Sequence, residues 1–355
     1  MKDDSEKPDV ALQCPVPHSK KEVIQMAHGG GGRLTQQLLE QIIRPVFNNR
    51  HLNKGHDGAV LDSRSSRLAF TTDSYVIAPL FFPGGDIGKL AVLGTLNDLA
   101  MCGAMPAHLS VSFILEEGFA LSDLEKVVAS MGHTLKENQV TCVTGDTKVV
   151  DRGKGDGLYI NTAGVGFFAH DVTIGPDQVR PGDAIVLSGD LGRHGIAIMG
   201  HREGLEFETA IQSDCASLVQ PVRALLDQGI EIHCLRDCTR GGLAGALNEI
   251  ADTAGVSMTI EEEKIPVEDA VRGACEILGL DPLYVANEGR FVAFVRPEES
   301  EAVLQTLKRQ SPGFQPERIG AVTRRQKYVS VTLRSTFGTD RILDLKSGEQ
   351  LPRIC

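Results

Sequence analysis

A chain of 355 residues, 41% hydrophobic and 23% charged, has an ordinary globular composition, and its length favours two cores over one. A formal charge of −11, no Trp and only 5% aromatics exclude the basic, stacking surface that nucleic acid requires. They leave room for a nucleotide, because metal ions held by carboxylates can supply the positive charge. No apolar run approaches the ~20 residues of a membrane span. The opening "MKDDSEKPDV" is acidic where a signal peptide is basic and then apolar, so the expected compartment is the cytoplasm.

Residues 1–25 read as a polar, partly disordered leader. "MAHGGGGR" then opens a first domain with a glycine run too flexible for regular structure. Through residue 172, strand-like stretches ("RLAFTTDS", "LSVSFILEE", "TCVTGDTKVV", "GLYINTAGVGFF") alternate with "IGKLAVLGTLNDLAMCGA" and "LSDLEKVVASMGHTLKEN", whose apolar residues recur at helical spacing. Turn residues in "GPDQVRPGDAIVLSGDLG" mark a boundary. A second domain, 173–335, is expected to carry helices at "LVQPVRALLDQGI" and "GGLAGALNEIADTAG" and strands at "MTIEEEKI" and "RFVAFVRPE". A tail, 336–355, holds one strand in "DRILDL" and ends on "EQLPRIC". The fold class is α/β (α+β) in two halves without an internal repeat.

The eight cysteines (14, 102, 142, 215, 234, 238, 275 and 355) are scattered. "CLRDC" lacks the two-residue gap and second pair of a zinc site, so most internal cysteines read as small core residues. Chemistry concentrates on aspartates beside glycines and small residues: Asp57, Asp73, Asp98, Asp146 and Asp237. Taken singly, each is equally a cap or turn residue. Together, Asp73 and Asp146 are expected to close strands, and Asp237 precedes a glycine-opened helix. Asp98 sits mid-helix on a face of small residues with Ala91, Gly94, Thr95 and Cys102. Converging carboxylates of this kind hold Mg²⁺, which bridges to substrate phosphates and so suggests ATP. "GGDIGKL" is not a P-loop: three residues rather than four separate Gly84 from Gly88, and Leu90 replaces Ser or Thr.

In order, "AHGGGGR", "TTDSYVIAPLFFPGGDIGKLAVLGTLNDLA", "VTGDTKVV", "RDCTRGGLA", "ANEGRF" and a final "PRIC" resemble the HypE family of hydrogenase maturation proteins. The resemblance runs from residue 26 to the end. It departs at the leader and at "HDGAV", where the wider superfamily often has two adjacent aspartates. It implies a two-domain PurM-like architecture, with an N-terminal ATP-binding α/β domain, a C-terminal α+β domain and a flexible tail. It also implies a carbamoyl dehydratase with ATP and Mg²⁺. A partner carbamoyltransferase loads Cys355, ATP converts the thiocarbamate to thiocyanate, and a hydrogenase maturation scaffold accepts cyanide.

The resemblance assigns Cys355, Lys148 and Glu288 to catalysis, and the five aspartates to the metal. Nucleotide contacts fall to His28, Gly29, Gly30, Gly31, Lys89, Asn97, Thr147, Arg240 and Gly241. The glycine loop is equally a linker. Arg353 is expected to offset the terminal carboxylate, which disfavours the thiolate. Residues 339–355, at about 3.3–3.6 Å each when extended, make a swinging arm. A homodimer is expected. Two other readings share these features. One is a phosphotransferase of the selenophosphate synthetase type, whose reactive residue lies near the N-terminus. The other is a cysteine carrier that needs no ATP.

Overall fold

The computed structural model describes residues 23–30, 32–54, 58–63, 65–204, 211–310, 314–327, 330–345 and 353–355. The leader up to residue 22, Gly31 and Asp57 lie outside the described residues. In the first domain, α1 (Arg33–Leu38) runs through a π-helical turn, Leu39–Ile43, into α2 (Arg44–Phe47). There follow β1 (Leu68–Tyr75), a short hairpin of β2 (Phe81–Phe82) and β3 (Gly85–Asp86), and α3 (Ile87–Met101). β4 (Met105–Glu116), α4 (Leu121–Glu137), β5 (Thr141–Val150) and β6 (Leu158–Phe167) complete it.

The sheet order is β1-β6-β4-β5, so β1 and β5 are opposite edges. Residues on β6 alternate buried and half-buried, because α3 and α4 cover one face only. On the other face Leu68, Phe70 and Ile114 stay exposed. α3 starts where Asp86 caps it, its carboxylate accepting from Gly88 N (2.7 Å) and Lys89 N (3.1 Å). That is the structural reason for the P-loop-like "GGDIGKL".

The second domain holds β7 (Ala184–Leu187), α5 (Arg193–Arg202), α6 (Val219–Asp227), β8 (Ile232–Asp237), α7 (Gly242–Ala254), β9 (Ser257–Glu261) and α8 (Asp269–Leu278). β10 (Phe291–Val295), α9 (Ser300–Gln310), β11 (Glu317–Thr323), β12 (Val331–Arg334) and β13 (Asp340–Ile342) follow. Its sheet runs β13-β12-β9-β11-β7-β10-β8. β10 reads as the continuous apolar run "FVAFV" because both its faces are buried. Phe291, Ala293 and Val295 join a core shared with the first domain, while Val292 and Phe294 join a second core under α7.

The shared core explains how the domains are fixed to one another. Asn97 adds a polar tie from α3, donating to Ala216 O (3.1 Å) and accepting from Leu218 N (2.8 Å). Among the described residues no helix is long and apolar enough to cross a membrane.

Candidate active site

Between the domains lies a cavity of about 770 Å³. Asp73 and Tyr75 from β1, Asp98 from α3, Asp237 at the end of β8, Arg240 and Gly241 before α7, Glu288 and Cys355 all line it. Of α3's residues only Lys89 and Asp98 are not buried, and of these two it is Asp98 that lines the cavity. Asp98 accepts from Thr71 Oγ1 at 2.9 Å. After Asp237 the chain must turn sharply into α7. Gly242 has φ +63°, and a Cβ there would stand 2.7 Å from the Leu283 and Val285 carbonyls, so only glycine fits.

The carboxylates crowd without enough countercharge. Burial raises Asp98 above its usual range, although the Thr71 hydrogen bond opposes the shift. Burial and Asp98 together push Asp237 up to about 7. Glu288 is 4% exposed, and burial followed by Asp237 lifts its carboxyl well above the ordinary range. Its backbone is held rigidly, Glu288 N and Gly289 N donating to the two oxygens of buried Asp214 (3.2 and 3.0 Å). Among the described residues its Oε1 has no hydrogen-bond partner. Burial of this kind favours the protonated carboxyl, and makes the ionised one a stronger base than an exposed glutamate.

The last three residues of the tail are seated. Val76 N donates to Cys355 O (3.1 Å) and Ala78 N to Arg353 O (3.3 Å). Ile354 is 4% exposed and joins the shared core. From α5, His194 Nε2 donates to Ile354 O (2.8 Å) and Arg202 Nη2 to Arg353 O (2.9 Å). The Arg353 guanidinium pairs with Asp156 (2.6 Å) and donates to Val76 O (3.2 Å). Nothing in "RHGIAIMGHR" signals a tail contact, so His194 and Arg202 escaped the sequence reading; so did Tyr75 and Asp214.

The remaining expected residues form a second group around β5. Asp146 lies in the middle of that strand rather than closing it, a correction to the expectation, because the pairing with β4 continues through Val150. Its carboxylate accepts from Thr147 N (2.8 Å) and pairs with Lys148 Nζ (2.9 Å), which holds it below its ordinary range. His28 is buried, accepting from Gln25 N at Nδ1 (2.9 Å). Gly29 rests on β5, where a Cβ would come 2.7 Å from Val149 N. Gly30 follows in the same loop, so loop, Thr147 and Lys148 adjoin. Within one chain this group sits at the opposite sheet edge from Asp73. Lys89 donates to Gly84 O (3.1 Å) at the start of α3, and Asn97 is committed to the domain tie.

Among the described residues no three His, Cys, Asp or Glu side chains stand together at metal-binding range. The donor chemistry of the cavity nonetheless fits a hard divalent cation. Asp73, Asp98 and Asp237 offer only oxygens, and burial followed by the Asp98 charge pushes Asp237 up to about 7, a shift that a bound cation would oppose.

Comparison with known proteins agrees with this two-sheet architecture. A family model described as AIR synthase related protein, N-terminal domain, matches residues 55–168, and its C-terminal counterpart matches 180–332. The chain is thus a two-domain protein of the AIR synthase related class, with the PurM-like fold. More narrowly, it belongs to the HypE family. It is 50% identical over 333 residues to the carbamoyl dehydratase HypE of Rhizobium leguminosarum bv. viciae, covering 94% of this chain and 95% of that one. A crystal structure of hydrogenase maturation protein HypE in complex with ATP superposes with TM-score 0.88 at 44% identity, covering 93% and 99%. The HypE chain of a HypE–HypF complex gives TM-score 0.76 at 42% identity, covering 89% and 100%.

Proposed function

We propose that this chain is an ATP-dependent carbamoyl dehydratase of hydrogenase maturation that works on its own C-terminus. The observation that carries the reading is the lining of one cavity by the terminal thiol of Cys355, the carboxylates Asp73, Asp98 and Asp237, and Glu288 with its unpartnered oxygen. A partner carbamoyltransferase loads Cys355 Sγ, in keeping with the HypF-bound relative. The oxygen of the resulting thiocarbamate attacks the γ-phosphorus of ATP, releasing ADP. Breaking the C–O bond then expels phosphate, two protons leave the nitrogen overall, and Cys355 carries S–C≡N. A thiol on the maturation scaffold takes the cyanide.

Glu288 takes a nitrogen proton. Its raised carboxyl makes it a stronger base than an ordinary glutamate after ionisation. Mg²⁺ held by Asp73, Asp98 and Asp237 would neutralise phosphate charge. ATP binding is supported by the ATP-bound relative. Lys148, with Asp146, Thr147 and the His28–Gly30 loop, is the phosphate-facing group of a second copy in a homodimer. The support is the exposed apolar sheet face, Leu68 and Phe70 being 57% and 66% exposed, and the separation of the two groups on opposite edges. The enzyme is placed in the cytoplasm, where its described cysteines stay free thiols.

Single-turnover intact mass spectrometry tests this. Carbamoyl-loaded parent chain should lose water from the adduct only when Mg²⁺-ATP is added, and Cys355→Ala should never load. Glu288→Gln should load and bind ATP but convert about 10²–10⁴-fold more slowly. Conversion without ATP would favour a carrier, and conversion of Glu288→Gln at the parental rate would move the base elsewhere.

A further inference from the structure

The seat of the tail reads main chain from two domains at once. One side is the extended segment after β1, whose Val76 and Ala78 amides meet Cys355 O and Arg353 O. The other is α5, and its two contacts are built, not incidental. A carbonyl only accepts, so the hydrogen of His194 lies on Nε2 toward Ile354 O. Nδ1 then accepts from the Ser213 hydroxyl (2.8 Å), whose oxygen accepts in turn from Cys215 N (3.0 Å). Every position in this chain is filled and the tautomer is fixed. Phe82 meets the His194 ring edge-on at 5.6 Å, locking its plane. Burial also depresses the pKa of His194, which keeps the imidazole in that neutral form.

Arg202 performs the complementary task. Its Nε and Nη2 both donate to Ala78 O (3.1 and 2.6 Å), and Nη2 also donates to Arg353 O (2.9 Å). One guanidinium thus joins the cradle to the tail, a geometry that a single ammonium does not reproduce. We infer that His194 and Arg202 form a latch that holds the C-terminal tripeptide in the cavity by its carbonyls, and so are positioning residues for the chemistry at Cys355. Because the latch binds backbone, it tolerates whatever group the sulfur carries. Its part in catalysis rests on the dehydratase reading, whereas its part in holding the tail does not.

The experiment separates the two. Peptide-resolved iodoacetamide labelling of unmodified, full-length protein reads exposure of Cys355 without any carbamoyl chemistry. His194→Ala and Arg202→Ala should each raise the Cys355 labelling rate about tenfold, the effect of losing one net hydrogen bond. Labelling of buried Cys234 and Cys275 should stay at the parental rate, which confirms the fold. His194→Gln, which can restore a donor toward Ile354 O, should return labelling toward parent. Arg202→Lys should restore it only in part.

In the ATP-driven single turnover, both alanine variants should slow conversion while the concentration of ATP giving half-maximal rate stays put. Parental Cys355 labelling in a folded Arg202→Ala chain would overturn the latch. Faster labelling with unchanged conversion would overturn its positioning role. A parent chain that never converts the adduct would sink the dehydratase reading and leave the labelling result standing.

Discussion

At Asp237, burial and the neighbouring Asp98 lift the carboxyl from 3.8 to about 7. A raised acid binds its proton more tightly in the folded chain than in the unfolded one, so its contribution to stability is greatest at low pH. That contribution is lost as pH rises from about 4 through 7. Asparagine keeps the shape and removes the titration. The difference in melting temperature, Asp237→Asn minus parent, should therefore grow between pH 5 and pH 8 in metal-free buffer. Mg²⁺ alone should raise the parent's melting temperature more at pH 8 than at pH 5, since proton and cation compete, and raise that of Asp237→Asn less. A flat difference across that range, or equal Mg²⁺ effects on both chains, would remove Asp237 from the cation site.

At the scale of elements, α3 shapes the cavity, because it is buried on nearly every side and lines the cavity through Gly94, Asp98 and Met101. One turn earlier, Gly94 lies directly under the Tyr75 hydroxyl, in the space a Cβ would need. Gly94→Ala gains up to about 1 kcal/mol of helix propensity. It also forces a methyl against a fully buried ring, which costs about 1–3 kcal/mol. Overpacking should win, giving a lower urea midpoint with an unchanged slope, and Mg²⁺-ATP binding should weaken as Asp98 moves with the helix.

α3 and α4 were legible because long runs with apolar residues at helical spacing are a local signal. β10 was legible because a strand buried on both faces reads as an apolar run. α5 carries a weak local signal, whereas α8 and α9 space their apolar residues as regularly as α4, so nothing physical hid those two. His194 meets a residue 160 positions away in the chain, a pairing no local pattern encodes. Asp98 was legible because a mid-helix aspartate contradicts propensity, and three of the five aspartates, Asp73, Asp98 and Asp237, line one cavity. The placement of Asp73 and Asp146 on opposite edges of one sheet was not legible, because strand order is set by topology rather than by any motif.

For the whole molecule, that division bears directly on assembly. Asp73, which shares its cavity with Asp98, Asp237 and Cys355, lies at one edge of the first sheet and Asp146 with Lys148 at the other, so in the proposed dimer each chain would present two half-sites. A twofold dimer laying the exposed Phe70 face of one copy against the other would cover that apolar surface and join unlike half-sites in pairs. Chains carrying Asp98→Asn or Asp146→Asn should each be inactive alone. Mixed in equal amounts after exchange of subunits, half of the dimers are hybrids, and each hybrid has one site with both mutations and one with neither. About a quarter of the parental activity should return. Phe70→Asp should abolish the recovery by lowering the mass seen in light scattering from dimer to monomer. If the mixture stays inactive although hybrids are shown to form, each site is built within one chain, and the two groups on β1 and β5 serve separate purposes.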